Sequence, residues 1–350
     1  MKAAVYYSNS DIRIEEVDDL TVGPREVRVR VMACGVCGSD VMEWYRVKRA
    51  GRPGGIGAFG HECTGTIAEV GSAVDPEWRV GDRVVVTHHV PCNTCNACIR
   101  GHATACKTLH TTKFKNGYGA FAEYVVLPEI NVDRGMLRLP GPVSFDAGTF
   151  VEPLGCVVRG QRFAPTSDGR SVLVIGAGIT GLLHIQAARL NGAGFIAVSN
   201  PSPERLEIAR GFGADATIPA SEDVPARFRE LNGGAGADTV IVTAPVPVCV
   251  EQSLEAIGPG GTILFFAPTN PEVQSRINVW DLWQKEVTIT HSYAADFHDL
   301  AIALKWIQHG RVNVTGMITH VFPLRETVKG FLLTARHRDG SLKAIVHPQE

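Results

Sequence analysis

Val172-Leu-Val-Ile-Gly-Ala-Gly-Ile-Thr-Gly181 decides the fold of the second half of the chain. Four apolar residues make a short strand, which breaks into Gly176-x-Gly178-x-x-Gly181 and runs on into a helical segment carrying Leu182, Leu183, Ile185, Gln186 and Leu190. A lone glycine pattern is weak. Between a strand and a helix it is the fingerprint of a dinucleotide site, and a merely structural glycine turn is the poorer reading. Gly176 makes the tight turn, Gly178 lets backbone approach a pyrophosphate, and Gly181 lets helix and strand pack closely. The helix N-terminus, with Ile179 and Thr180 between the last two glycines, faces the phosphates.

Downstream, apolar strands alternate with helical segments: Phe195-Ile-Ala-Val198, Ala216-Thr-Ile218, Thr239-Val-Ile-Val242 and Thr262-Ile-Leu-Phe-Phe266. Near-continuous apolar strands of this kind fit a parallel sheet covered on both faces. One more strand is expected around Thr288–Tyr293, then a helix from Asp299 to His309 and two short closing strands. The ribose belongs at the end of the second strand, where a NAD site normally places an acid. Asn200 stands there without charge, and Ser199, Ser202 and Arg205 can all donate to a phosphate. Arg205 can equally be an ordinary helix-start residue. The balance leans to NADP.

Upstream, the texture is different. Val27-Arg-Val-Arg-Val31 alternates apolar and charged residues as a half-buried strand does, and Thr64–Val70, Asp82–Thr87 and Ala120–Val126 continue the pattern. Gly71, Asp75-Pro76 and Gly81 punctuate it, which predicts an all-β, barrel-like lobe. Within it lies Pro91-Cys-Asn-Thr-Cys-Asn-Ala-Cys, followed by Cys106. The thiolates of Cys92, Cys95, Cys98 and Cys106 can close a tetrahedral cage with no open position, which suits a structural Zn²⁺. Cysteines so tightly spaced could hardly pair cleanly as disulfides.

Composition agrees with an intracellular enzyme. The 350 residues suffice for two domains, and 34 Lys+Arg against 36 Asp+Glu leave no basic footprint for nucleic acid. The start, Met1-Lys-Ala-Ala-Val-Tyr-Tyr, lacks the apolar core of a signal peptide, and no apolar stretch is long enough to span a membrane. Nine cysteines, an odd number, favour reduced thiols and the cytoplasm.

Three more pieces carry ligand chemistry: Cys37-Gly-Ser-Asp40, Gly60-His-Glu62 and Val151-Glu-Pro-Leu-Gly-Cys156. One thiolate, one imidazole and one carboxylate would leave a fourth position open, the arrangement of a catalytic zinc. Each piece also has a plain reading: Cys37 as a buried thiol, His61-Glu62 as a surface pair, Glu152 as a helix N-terminal acid. A Cys34-x-x-Cys37 redox pair lacks its usual helix start after a βαβ strand.

Together these pieces resemble the zinc-dependent medium-chain dehydrogenase/reductase superfamily over essentially the whole chain. The resemblance rests on the Met1-Lys-Ala start, Gly60-His-Glu62, Gly81-Asp-Arg-Val84, the four-cysteine lobe, Glu152-Pro-Leu154, the glycine fingerprint and the Lys343-Ala-Ile-Val346 ending. It is strongest for the sorbitol (polyol) and threonine dehydrogenase branch, where the third ligand position holds Glu, as Glu152 does. It implies an α/β protein: a GroES-like β-rich catalytic domain over 1–153, with the structural zinc lobe at about 90–107, a Rossmann doubly wound parallel-sheet domain over 154–290, and a return to the catalytic domain over 291–350. Cys37 and His61 match the first two zinc ligands. Glu152 matches the third, and in this branch Glu62 can also ligate directly. Asp40 matches the carboxylate that orients the ligating His, and Ser39 the hydroxyl that bonds the substrate oxygen and passes on its proton.

The resemblance further implies two zinc ions per chain, NAD(P) as cofactor, a small-molecule alcohol or carbonyl substrate, and a homodimer or homotetramer formed through the last strand of the nucleotide sheet, read here as Thr262–Phe266. Many relatives carry a His three residues after the relay hydroxyl; this chain has Met42. Protons would then leave through cofactor ribose and water, or through another His among His88, His89 and His291. Met42, Trp44, Tyr45, Arg46 and Phe59, with Trp280 or Trp283, are candidates to line the substrate pocket. The expected activity is zinc-assisted hydride transfer between a secondary, sugar alcohol-like substrate and NAD(P). The rivals are a biosynthetic ketone or aldehyde reductase of the same superfamily and a non-catalytic nucleotide-binding relative; Cys37, His61 and Glu152 all stand against the second.

Overall fold

The structure, a computed structural model, describes residues 1–9, 11–50, 59–115, 118–336 and 340–350. In chain order the strands are β1 (Lys2–Ser8), β2 (Asp11–Glu16), β3 (Val27–Gly35), β4 (Glu62–Val70), β5 (Arg83–Val86), β6 (Tyr124–Leu127), β7 (Met136–Arg138), β8 (Ser171–Ile175), β9 (Phe195–Asn200), β10 (Ala216–Pro219), β11 (Ala237–Val242), β12 (Ile257–Phe265), β13 (Thr288–His291), β14 (Ile318–Pro323) and β15 (Lys343–His347). Two compact units result. One comprises Met1–Gly155, Ala294–Gly310 and Val314–Glu350; the other, Cys156–Tyr293 and Arg311–Asn313. No helix among the described residues is long and apolar enough to cross a membrane.

The first unit is built on a seven-stranded sheet of order β14-β15-β3-β4-β5-β7, with β6 also pairing β3, beside the two-stranded β1-β2 ribbon. Along β3 the alternation holds: Val27, Val29 and Val31 are fully buried while Arg30 is exposed. These valines join Phe59, Phe121, Leu127 and Phe331 in one core. The antiparallel register of β3 and β4 sets Gly35 opposite Glu62 and Cys34 opposite Cys63, so the end of one strand and the start of the next share one position in the sheet.

The second unit is a six-stranded, all-parallel sheet of order β10-β9-β8-β11-β12-β13, the doubly wound arrangement. β8 is buried at every position, as a strand covered on both faces must be. Its outer edge corrects one expectation. Thr262–Phe266 falls within and just past β12, which is hydrogen-bonded on both sides by β11 and β13; the edge strand is Thr288–His291. The apolar character of Thr262–Phe265 reflects burial between neighbours within one chain.

In the first unit, the helix expected from Asp299 starts earlier and spans Phe297–Gln308. Asp296 caps it by accepting from the Asp299 N–H at 3.1 Å, and Asp299 reciprocates at 3.2 Å, so Asp299 closes a capping box inside the first turn.

Candidate functional site

The four lobe cysteines converge. The sulfurs of Cys92 and Cys106 lie 3.5 Å apart, those of Cys95 and Cys98 3.6 Å, and all four within 4.8 Å of one another. These separations are far beyond a disulfide bond and close to the edge of about 3.8 Å that a tetrahedral zinc thiolate site requires. Asn93 supplies the left-handed residue (φ 60°) of the first Cys-x-x-Cys turn. That turn lets the Thr94 hydroxyl, then the Thr94 and Cys95 N–H groups, donate to Cys92, pushing its thiol down to about 5. Cys98 moves the other way, its thiol pushed up by burial and by the Cys95 and Cys106 sulfurs, so the spacing of the four, not their acidity, carries the match to a metal. The residues therefore fit a closed structural zinc.

The second cluster joins Cys37, His61 and Glu62, whose ligand atoms also lie within 4.8 Å of one another. The β3–β4 pairing explains how distant residues meet: Gly35 ends β3 opposite Glu62, which opens β4, so Cys37 and His61 flank adjacent strand ends. Cys37 precedes the short helix Gly38–Val41, and its N–H donates to Asp40 Oδ2 at 3.0 Å. Asp40 is wholly buried, and its Oδ1 stands 3.6 Å from His61 Nδ1. The Asp40 carboxylate thus lies within ion-pair distance of the ring, which also hydrogen-bonds the Cys37 side chain. Burial opposes charge on His61, but Cys37, then Glu152 and Glu62, raise its pKa to about 9. An imidazole held so strongly among anions is a site suited to a cation. Thiolate, imidazole and carboxylate are the donors zinc takes, so this set fits as well.

Glu152 opens the helix Val151–Phe163 and is buried, but its carboxylate is outside the three-atom cluster; its charge reaches His61. Glu62 lies inside the cluster and is ion-paired with Lys343, both side chains being about 2% exposed or less. Gly35 makes room for this pair: a Cβ there would lie 2.1 Å from Glu62 Oε2 and 2.8 Å from Lys343 Cε. Sequence reading missed Lys343. The available signal was a lysine opening a strand that continues with Ala344, Ile345 and Val346, all buried, and ends at half-buried His347.

Ser39 is half-buried in the helix between Cys37 and Asp40, and Met42 follows that helix. Among the expected relay histidines, His88 packs its ring 5.3 Å from that of His61, and His89 lies 3.7 Å from His88. His291 ends the edge strand of the other unit. Cys34 is fully buried opposite Cys63, and burial drives its thiol well above the usual range, the reverse of the low-pKa, accessible thiol a redox pair uses.

Two pocket expectations change. Phe59 is 1% exposed and belongs to the core, stacked edge-on with Phe121 at 4.8 Å. Arg46 is 6% exposed and ion-paired with Asp40. Neither presents itself to a substrate. Trp280 and Trp283 are more than half exposed, on the helix Val279–Gln284.

At the nucleotide turn, β8 passes into Gly176, with φ +111°, and then into the helix Ile179–Asn191. A Cβ on Gly181 would lie 2.0 Å from the Gly176 carbonyl oxygen, so glycine is required for helix and strand to pack. Gly178 differs: a Cβ there would meet nothing of the protein nearer than Arg205 at 3.9 Å. The space above it is a cradle for a group from outside the chain, which fits a pyrophosphate at the half-buried first turn containing Ile179 and Thr180. Asn200 Oδ1 accepts from the Ala177 N–H at 3.1 Å and so braces the turn. The Arg205 guanidinium reaches back to the Ala177 carbonyl at 3.4 Å, which places a cation at the glycine turn. Ser202 caps the helix Pro203–Gly211 through the Arg205 N–H. Ser199 does not join this group. It lies inside β9, is 1% exposed, and by alternation along the strand projects from the sheet face opposite to that of Asn200.

Comparison with known proteins agrees with this architecture. Residues 23–136 match the alcohol dehydrogenase GroES-like domain, and residues 180–309 the zinc-binding dehydrogenase domain. A sorbitol dehydrogenase of Bacillus subtilis is 29% identical over 354 residues, covering 99% of this chain and 97% of its own. An L-threonine 3-dehydrogenase of Pyrococcus horikoshii is 33% identical over 325 residues, covering 88% and 87%. A Sinorhizobium meliloti protein solved with NADP superimposes with a TM-score of 0.86 at 27% identity, over 99% of each chain. The chain belongs to the zinc-dependent medium-chain dehydrogenase/reductase superfamily. Within it, the chain falls in the branch of the polyol and threonine dehydrogenases and is an oxidoreductase acting on CH–OH groups.

Proposed function

We propose that the protein interconverts a secondary alcohol of the polyol type and its carbonyl, using NAD(P) and two zinc ions per chain. The observation that carries the reading is the convergence of Cys37, His61 and Glu62 around one point, with buried Asp40 behind His61. Zinc bound there supplies a Lewis acid, and the dinucleotide a hydride acceptor.

The chain's own residues do the rest. Cys37, His61 and one of Glu62 or Glu152 hold the metal, and Asp40 fixes the His61 ring through Nδ1. Ser39 holds the substrate hydroxyl and passes its proton outward. The Gly176–Gly181 turn and the following helix N-terminus bind pyrophosphate, while Cys92, Cys95, Cys98 and Cys106 lock a structural zinc. Asn200 lacks the charge that repels a 2′-phosphate and Arg205 brings a cation to the turn, so NADP(H) serves at least as well as NAD(H). The S. meliloti neighbour was solved with NADP and an Escherichia coli neighbour with NADH, so the choice rests on Asn200 and Arg205 alone. The names of the relatives support polyols and amino alcohols as the substrate class.

The exposed edge β13 supports a homo-oligomer, and nine cysteines, an odd number, of which five are read as zinc ligands, support a reducing compartment, the cytoplasm. A panel of polyols, amino alcohols and the corresponding ketones, run with each cofactor on protein of measured zinc content, tests the proposal. Turnover that persists at full rate after zinc is removed from the Cys37 site would overturn it.

A further inference from the structure

Asp40 is the junction behind the candidate metal centre. It accepts from the Cys37 N–H at 3.0 Å and the Gly60 N–H at 3.3 Å, and faces His61 Nδ1 at 3.6 Å. Its remaining strong partner is Arg46, whose Nη2 pairs with Oδ1, the same oxygen that faces His61, while its Nε donates to the Asp40 backbone carbonyl at 3.3 Å. The guanidinium lies 5.5 Å over the Phe59 ring, and Phe59 is in turn held by Tyr6, Phe121 and Phe331. With Asp40 fully buried and Arg46 6% exposed, the pair is almost shut off from water. A residue grasped at both its carboxylate and its carbonyl by one planar fork has one position and one orientation.

We propose that Arg46 is a positioning residue for the metal centre: it holds Asp40 so that His61 is presented to the ion in a single orientation, and it compensates Asp40's charge. The proposal rests on the reading of Cys37, His61 and Glu62 as a zinc site. Arg46 is not itself a ligand and acts through Asp40. Removing it leaves a buried carboxylate uncompensated and able to shift, and support lost behind a ligating histidine typically costs about 10- to 100-fold in metal affinity.

The test compares wild type, Arg46→Met, Arg46→Lys, Asp40→Asn and the double variant Asp40→Asn/Arg46→Met. Zinc release to a chromogenic chelator is followed beside thermal melting and steady-state kinetics. The four-cysteine zinc serves as an internal control. The expected result is release of the Cys37-site zinc about 10- to 100-fold faster in Arg46→Met, with the second zinc retained and partial rescue in Arg46→Lys. The double variant should lose no more than Asp40→Asn alone, because the two act in series. It also removes both charges, so it remains informative if Arg46→Met does not fold. Zinc release at the wild-type rate in Arg46→Met, or release from the double variant markedly faster than from Asp40→Asn, would overturn the proposal. So would a rise in alcohol KM alone, which marks a substrate contact. A wild type holding only the four-cysteine zinc would instead overturn the underlying zinc reading.

Discussion

Lys343 on the last strand and Glu62 at the start of β4 form a buried ion pair across 281 positions of sequence, beside the sulfur of Cys37 and the ring of His61. Lys343 also donates to the Val36 carbonyl at 3.4 Å and lies 5.5 Å from the Phe150 ring. The C-terminal strand thus supplies the cation that balances a carboxylate of the candidate centre. Breaking one side of such a pair leaves an uncompensated buried charge, so Lys343→Met should cost about 3–5 kcal/mol in chemical denaturation. Glu62→Gln/Lys343→Met should recover much of that loss. Equal losses in the single and double variants would show that the pair is not the cause.

The two cysteine-bearing clusters should separate cleanly. Cys37→Ser should remove one equivalent of zinc and abolish turnover while the melting temperature stays close to that of the wild type. Cys98→Ser should also remove one equivalent, but lower the melting temperature, since a closed four-sulfur site contributes folding energy. Metal analysis with far-UV melting decides it. One zinc per wild-type chain, or a Cys37→Ser enzyme at full activity, contradicts the assignment.

What sequence could convey about this protein depended on how local the signal was. The Gly176–Gly181 turn and the four lobe cysteines are contiguous motifs whose spacing carries their geometry, and both could be read directly. The Cys37/His61/Glu62 cluster needed only β3 and β4 to pair. Lys343 was hidden because its partner lies far along the chain, and Arg46 because proximity to a ligand loop does not say which way a side chain turns. The sheet edge was misjudged for a physical reason. Apolar residues mark burial, and Thr262–Leu264 is buried on an interior strand paired by β11 and β13, whereas the edge on that side, Thr288–His291, reads as alternating and half-polar.

Two histidines should give the units opposite pH responses. In the nucleotide unit, His184 accepts at Nδ1 from Gln161 at 3.3 Å within a buried site, and burial lowers its pKa from 6.5 to about 3. The folded state therefore resists a proton the unfolded state accepts, so this stability is present above pH 6.5 and lost as pH falls towards about 3. In the other unit, His347 meets Asp146 at 2.7 Å and Glu350 at 3.1 Å, and the Asp146 hydrogen bond, against some burial, raises its pKa above 6.5. Its contribution is present below pH 6.5 and lost as pH rises through the raised value. His184→Asn should flatten the acid limb of a stability–pH profile, and His347→Gln the alkaline limb. Hydrogen exchange can assign each limb to its unit; a His184→Asn profile as steep below pH 6.5 as the wild type's would contradict the first half.

Cofactor choice turns on the end of β9. Asn200 already spends its side-chain oxygen on the Ala177 N–H, and an aspartate can make the same bond while adding a negative charge beside the ribose. Arg205, drawn back to the Ala177 carbonyl, stands nearest the Gly178 cradle. Asn200→Asp should therefore shift preference towards NAD, by about ten- to a hundredfold in the ratio of kcat/KM values, the order expected of one charged contact. Arg205→Ala should raise the KM for both cofactors, because a cation beside the Gly178 cradle serves the pyrophosphate they share, and raise it more for NADP(H), whose 2′-phosphate adds negative charge. Steady-state kinetics with both cofactors on the three proteins measures the two effects separately. A wild type that strongly prefers NAD, with a ratio that Asn200→Asp does not move, would mean that the ribose does not lie at the end of β9.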